Sequence, residues 1–158
     1  MRKLIMLFVA LFAFVIQPLS LWAAEPVPAQ LAETMRTVLV QAQITFTSDP
    51  NSTQQALALA QSTYAGDFAA TLRRADTAAD ARISAGLNAA QEAIQRGDAA
   101  AFAAARAQVW TALLAGSYAV VQQAVQQENG ELAQRWLPVR EFRTATRFAR
   151  PAADATVA

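Results

Sequence analysis

The chain has 158 residues, 54% of them apolar and only 16% charged, with a formal charge of +1. It contains neither Cys nor His, which excludes a disulfide framework, an imidazole base and the usual transition-metal ligands. So balanced a charge is no footprint for nucleic acid, and no nucleic-acid partner is expected.

Residues 1–23 read as a secretory signal peptide. Arg2 and Lys3 form a positive start, Leu4 to Ile16 are continuously apolar, Pro18 ends the run, and "SLWAAEP" follows. Cleavage after Ala23 fits better than cleavage after Ala24, which would put bulky Trp22 at a small-residue site. The run is short for a membrane span of about 20 residues, so an uncleaved anchor is the alternative. Removing residues 1–23 leaves 11 arginines, no lysine and a formal charge of −1. Residues 24–150 are expected to form one exported domain, with 151–158 a tail or linker. No second long apolar run follows, so these residues alone do not make a polytopic transporter.

Ala, Gln, Leu and Arg dominate the rest, all good helix formers, and no alternating strand pattern appears. The expected fold is all-α, an up-and-down bundle of about five helices. The first runs from about Pro28 to Thr45 with Leu31, Met35, Val38 and Ala42 on one face. "TSDPNS" breaks it. Asp49 then caps a second helix that has Pro50 at its first position and ends near Gly66. Asp67 is placed to cap a short helix carrying Phe68 and Leu72. The next helix spans about Thr77 to Arg96, with the stripe Ile83, Leu87, Ala90 and Ile94.

Gly97 and Asp98 read as a helix stop and a new cap. The helix that follows reaches about Glu128 and is broadly apolar. Phe102, Val109, Leu113 and Val120 lie on one side, with Trp110, Leu114, Val121 and Val125 beside them, so it belongs at the centre. Asn129-Gly130 ends it. The last helix presents Leu132, Trp136 and Val139, and Pro138 is expected to kink it or end it near Leu137. The boundaries "GDFAATLRRA", "GDAAAFAAARA" and "GELAQRWL" recur at spacings of 31 and 33 residues. Short loops between bundle helices produce the same look.

Little here supports catalysis. A nucleophilic triad needs a base beside its nucleophile, and no phosphate-binding glycine loop exists, so no enzyme is expected. Asp76 and Asp80, four residues apart, are the weak metal candidates, with Tyr64 and Tyr118 as further oxygen donors for a hard cation. Against that, Arg73 is near enough to pair with them, Asp76 is placed to cap a helix, and two carboxylates do not fill a shell of about six oxygens. Glu92 and Arg96 form a surface pair worth about 0.3 kcal/mol. Trp110 and Trp136 read as core.

The unusual stretch is "RWLPVREFRTATRFARPAADAT". Arg140, Arg143, Arg147 and Arg150 follow at steps of three, four and three, which is one helical face. Over residues 135–150, with Arg135 included and Glu141 the only acid among the arginines, the charge is about +4. A solvated face explains these arginines. A docking contact also does, against anionic headgroups or an acidic patch on another domain. "AADATVA" follows without a helix stop, as in a chain cut from a longer one.

"WTALLAGSYAVVQQAV" at 110–125, with the stretch that follows it, resembles the N-terminal extracytoplasmic region of bacterial and cyanobacterial iron permeases of the Ftr type. The resemblance is densest over 106–156. It implies an exported helical region ahead of a multi-helix membrane permease. The family's iron-handling motif is Arg-Glu-x-x-Glu in a membrane helix. Here Arg140-Glu141 meets Thr144 at the matching position, in a segment too polar to span a bilayer.

The expectation is therefore an accessory or docking module at the periplasmic face of the inner membrane, apart from the iron pathway. Its partner would be the membrane or a permease domain. It would hold no cofactor of its own, and iron would enter only through the permease context. The alternatives are a free-standing exported scaffolding protein and a weak oxygen-ligand iron binder.

Overall fold

The computed structural model describes residues 27–148, with side chains to Val139. The expected signal peptide, the tail and Arg150 lie outside the described residues. Those residues form six helices and no strand: α1 (Pro28–Thr45), α2 (Pro50–Tyr64), α3 (Asp67–Ala75), α4 (Thr77–Arg96), α5 (Ala99–Gln126) and α6 (Gly130–Phe148). The all-helical class agrees with the sequence reading. The count is six and not about five: the short helix placed after Gly66 stands as an element of its own, nine residues long and set off from α4 by the single non-helical residue Asp76.

Local chemistry explains most boundaries. Asp49, Asp76 and Asp98 each accept a hydrogen bond from the backbone N–H three residues on, at 3.0, 2.9 and 2.9 Å. Pro50 and Pro28 open their helices, where a missing N–H costs nothing. Asp67 differs from expectation. Gly66 occupies the cap position at φ 69° and ψ −142°, a conformation closed to residues with a Cβ. The helix therefore starts at Asp67, whose charge favours the first turn.

The end of α5 also differs. The left-handed residue is Glu128 at φ 55°, while Gly130 already belongs to α6. Backbone bonds from Asn129 N to Ala124 O (2.8 Å) and from Glu128 N to Val125 O (3.1 Å) close the helix. Asn129 then turns its Oδ1 to Leu132 N at 3.1 Å and caps α6.

α5 is the central helix. It packs against α4 and α6 most extensively, and against α3 and α1 as well. α1 and α2 form a hairpin that meets α4 through α2 and α6 through α1. The hairpin is pinned by Thr53, which is fully buried and shares a 3.0 Å hydroxyl contact with Thr45. The α4–α5 contact is close because Gly86 has no side chain. A Cβ there would stand 2.7 Å from Val109 Cγ2 and 3.3 Å from Ala105 O. Gly116 plays the same part where α3 and α4 meet α5, with Leu72 Cδ2 at 2.7 Å and Ala79 Cβ at 3.0 Å.

The buried faces are turned slightly from those expected. On α1 the core residues are Ala32, Met35, Leu39 and Ala42, while Leu31 and Val38 are half-buried. Helix α1 packs between α2 and α6, so two adjacent strips are in use. On α4 Ala93 is buried and Ile94 lies at the margin. On α5 Phe102, Val109, Leu113, Val120 and Val121 are core, but Val125 is 64% exposed.

Of the two outcomes expected at Pro138, the helix ending is excluded. Helix α6 neither stops at Leu137 nor breaks, but runs through Pro138 to Phe148. Pro138 and Gln134, whose carbonyl loses its donor, both lie on the exposed side of the helix, where a missing helix bond costs least. No described helix is long and apolar enough to cross a membrane.

Candidate functional site: a groove beside the arginine helix

The cationic helix is anchored in the core before its arginine-rich part begins. Trp136 is 2% exposed and stacks on Phe68 of α3, with ring centroids 5.2 Å apart and planes 10° from parallel. Val139, one turn further, is fully buried. Positions 140, 143 and 147 follow on the same unbroken helix and share one strip by register. Trp136 is thus core as the sequence implied. Trp110 is only half-buried and packs at the margin.

Beside the Phe68–Trp136 stack lies an open groove of about 550 Å³. Pro28 and Leu31 of α1 form one wall, Ser62 and Thr63 at the end of α2 another, and α3 and α6 complete it. Two arginines line it, Arg74 from α3 and Arg135 from α6, along with one acid, Asp67. Arg74 Nη2 donates to Thr71 Oγ1 at 3.1 Å. The sequence reading had grouped Arg135 with the arginines after it. The structure places Arg135 in this groove, half-buried, on the near side of Pro138.

Asp76 and Asp80 are given separate tasks. Asp76 caps α4 through Oδ1. Asp80 is buried, accepting from Tyr64 Oη at 2.6 Å on Oδ1 and from Arg73 Nε at 2.7 Å on Oδ2. Burial works to raise its pKa, but the hydrogen bonds from Arg73 and Tyr64 outweigh it and hold the carboxyl below its ordinary range. Burial first, and then the bond to Asp80, push the Tyr64 phenol well above its ordinary value. Arg73 pairs with Asp80 and not with the nearer Asp76, because Asp76 is turned to the helix end. Tyr118 is about half exposed on α5. Among the described residues no three His, Cys, Asp or Glu side chains gather in one place.

The Tyr64–Asp80–Arg73 unit was not foreseen as a unit. Its signal lay in the α4 stripe: stepping back three from Ile83 reaches Asp80, so the same face that buries Ile83 buries a carboxylate. The groove had no such signal, since it joins residues from four helices.

A family model described as the iron permease FTR1 N-terminal domain matches residues 24–158. No curated protein and no solved structure matches the chain significantly.

Proposed function

Because the chain belongs to the iron permease FTR1 N-terminal domain family, we propose that it is the extracytoplasmic accessory module of an iron uptake permease, docked by its last helix against an anionic membrane surface. One observation carries this reading. Helix α6 is seated in the core through Trp136 and Val139 and continues past Pro138, so positions 140, 143 and 147 lie on the same helix as its core-anchored part. Cations held at a charged bilayer contribute about 1 kcal/mol each. Three on one strip, with Arg150 after them, make a reversible contact strong enough to orient a small domain and weak enough to release.

The module guides geometry in this reading and does not conduct iron. Arg140-Glu141 lacks the second glutamate of the transport motif, having Thr144 in its place. The metal-side alternative rests on Asp76 and Asp80, and no observation favours it.

The test compares wild type with R140E/R143E/R147E. Wild type is expected to co-sediment with vesicles containing phosphatidylglycerol and not with phosphatidylcholine vesicles, and to release as salt rises. The triple variant is expected to lose that binding with its melting temperature unchanged, and to slow iron uptake in cells relying on the permease. Unaltered vesicle binding and unaltered uptake in the variant would refute the docking role.

A further inference from the structure

The groove beside the Phe68–Trp136 stack is unbalanced in charge. Arg74 and Arg135 line it, and Asp67 is the one acid on its walls among the described residues. Arg74 holds the hydroxyl of Thr71, a neutral acceptor. Arg135 is half-buried, on the same wall as Leu132 and Trp136. A guanidinium partly withdrawn from water is best matched by a carboxylate, whose two oxygens fit its donors.

The chain itself delivers a carboxylate here. Pro28 is part of the groove wall. Three residues ahead of it stands Glu25, the only acid before Glu33. Glu25 lies outside the described residues, but the chain between it and the groove is constrained. Val27 has extended backbone, at φ −63° and ψ 138°. Pro26 fixes its own φ and steers the residue before it to extended backbone. Three residues of such chain span about 9–11 Å, so Glu25 stays within that distance of the groove wall. A tether this short holds the carboxylate at an effective concentration of about millimolar or more. Its stiffness leaves little entropy to lose on closing. Helix α1 also has no side-chain cap and no acid in its first turn. The positive end of its dipole therefore favours an acid just ahead of it.

We propose that residues 24–26 form a strap across this groove, with the Glu25 carboxylate held by the guanidinium groups of Arg74 and Arg135. The strap brings two acids to two cations and fastens the entry of α1 to α3 and α6. It stands whether or not α6 docks on a membrane.

The experiment measures the melting temperature of the purified protein at low salt, with E25Q made in three backgrounds. In wild type E25Q is expected to lower it by about 1–3 °C. In R74Q/R135Q the loss should be less than half as large. In R96Q, which removes an arginine outside the groove, it should be undiminished. The chain has no cysteine, so T71C places a single thiol on the groove wall. Alkylation of that thiol by neutral iodoacetamide should be at least threefold faster in T71C/E25Q than in T71C. Three results would overturn the proposal. The first is an equal loss from E25Q with and without the groove arginines. The second is an alkylation rate that E25Q does not change. The third is equal protection of the thiol by inorganic phosphate in T71C and T71C/E25Q, which would give the groove to a free anion.

Discussion

Tyr64 donates its hydroxyl hydrogen to Asp80 Oδ1 at 2.6 Å, and so ties the last residue of α2 to the first turn of α4. The tie spans the two hairpins, α1–α2 and α4–α5. Tyr64→Phe keeps the ring against Phe68, where the centroids are 6.1 Å apart, and removes only the donor. It leaves a buried carboxylate oxygen short of one bond. The expected loss is about 1–3 kcal/mol in urea unfolding, with an unchanged m-value.

The same contact contributes to the pH dependence of the fold, on the acid side together with Glu33 and Asp49, whose carboxyls are also held below their ordinary range by the hydrogen bonds from Arg36 and Ser52. Asp80 titrates below its ordinary value in the native state, so the unfolded chain takes up the proton first on acidification. Stability is complete above the ordinary aspartate pKa, about 4, and falls as pH drops through the native value. Tyr64 is shifted upward, so the unfolded chain loses its proton first on the alkaline side. Stability then declines as pH rises beyond about 10. Thermal melts across pH should show both losses. Tyr64→Phe should abolish the alkaline contribution, and Asp80→Asn its own part of the acidic one.

Gly86→Ala sets helix propensity against packing. Alanine gains about 1 kcal/mol over glycine inside a helix. Its methyl would stand 2.7 Å from Val109 Cγ2, and Val109 is 1% exposed, inside the core. Overpacking of this kind costs about 1–3 kcal/mol, and the carbonyl of Ala105 at 3.3 Å blocks an easy shift. The variant should be less stable by about 1–2 kcal/mol in chemical denaturation. Adding Val109→Ala should cost less in the Gly86→Ala background than alone, which a double-mutant cycle measures directly.

Pro138→Ala should stabilise the protein. The site is exposed, helical on both sides, and missing one backbone donor. Restoring the bond to Gln134 O and removing the ring is expected to raise stability by about 1–3 kcal/mol, read as a higher melting temperature. If the proline also sets the direction of the cationic segment, uptake should fall while stability rises.

What could be read ahead divides along the range of the interactions involved. Asp49, Asp98 and Gly97 sit where a helix end needs them, and such ends are decided within a few residues. The long central helix was legible because its apolar surface is wide on nearly every side. Glu128 escaped notice because its left-handed φ is imposed by the turn from α5 into α6, while the two residues after it carried the obvious turn chemistry. Pro138 left two outcomes open, and the helix runs on because the cost of a missing donor depends on how exposed that stretch of α6 is, which is decided by how α6 lies on the bundle. The groove beside Trp136 and the Tyr64–Asp80 contact each join separate helices, so no local pattern announces either.

The interior is lined to an unusual degree by methyl groups: Ala32, Ala42, Ala60, Ala79, Ala90, Ala93 and Ala124 are all wholly enclosed. Such side chains have no torsions to freeze and none to switch. Enclosing them therefore costs almost no side-chain entropy on folding, which leaves more of the burial gain of the larger neighbours as net stability.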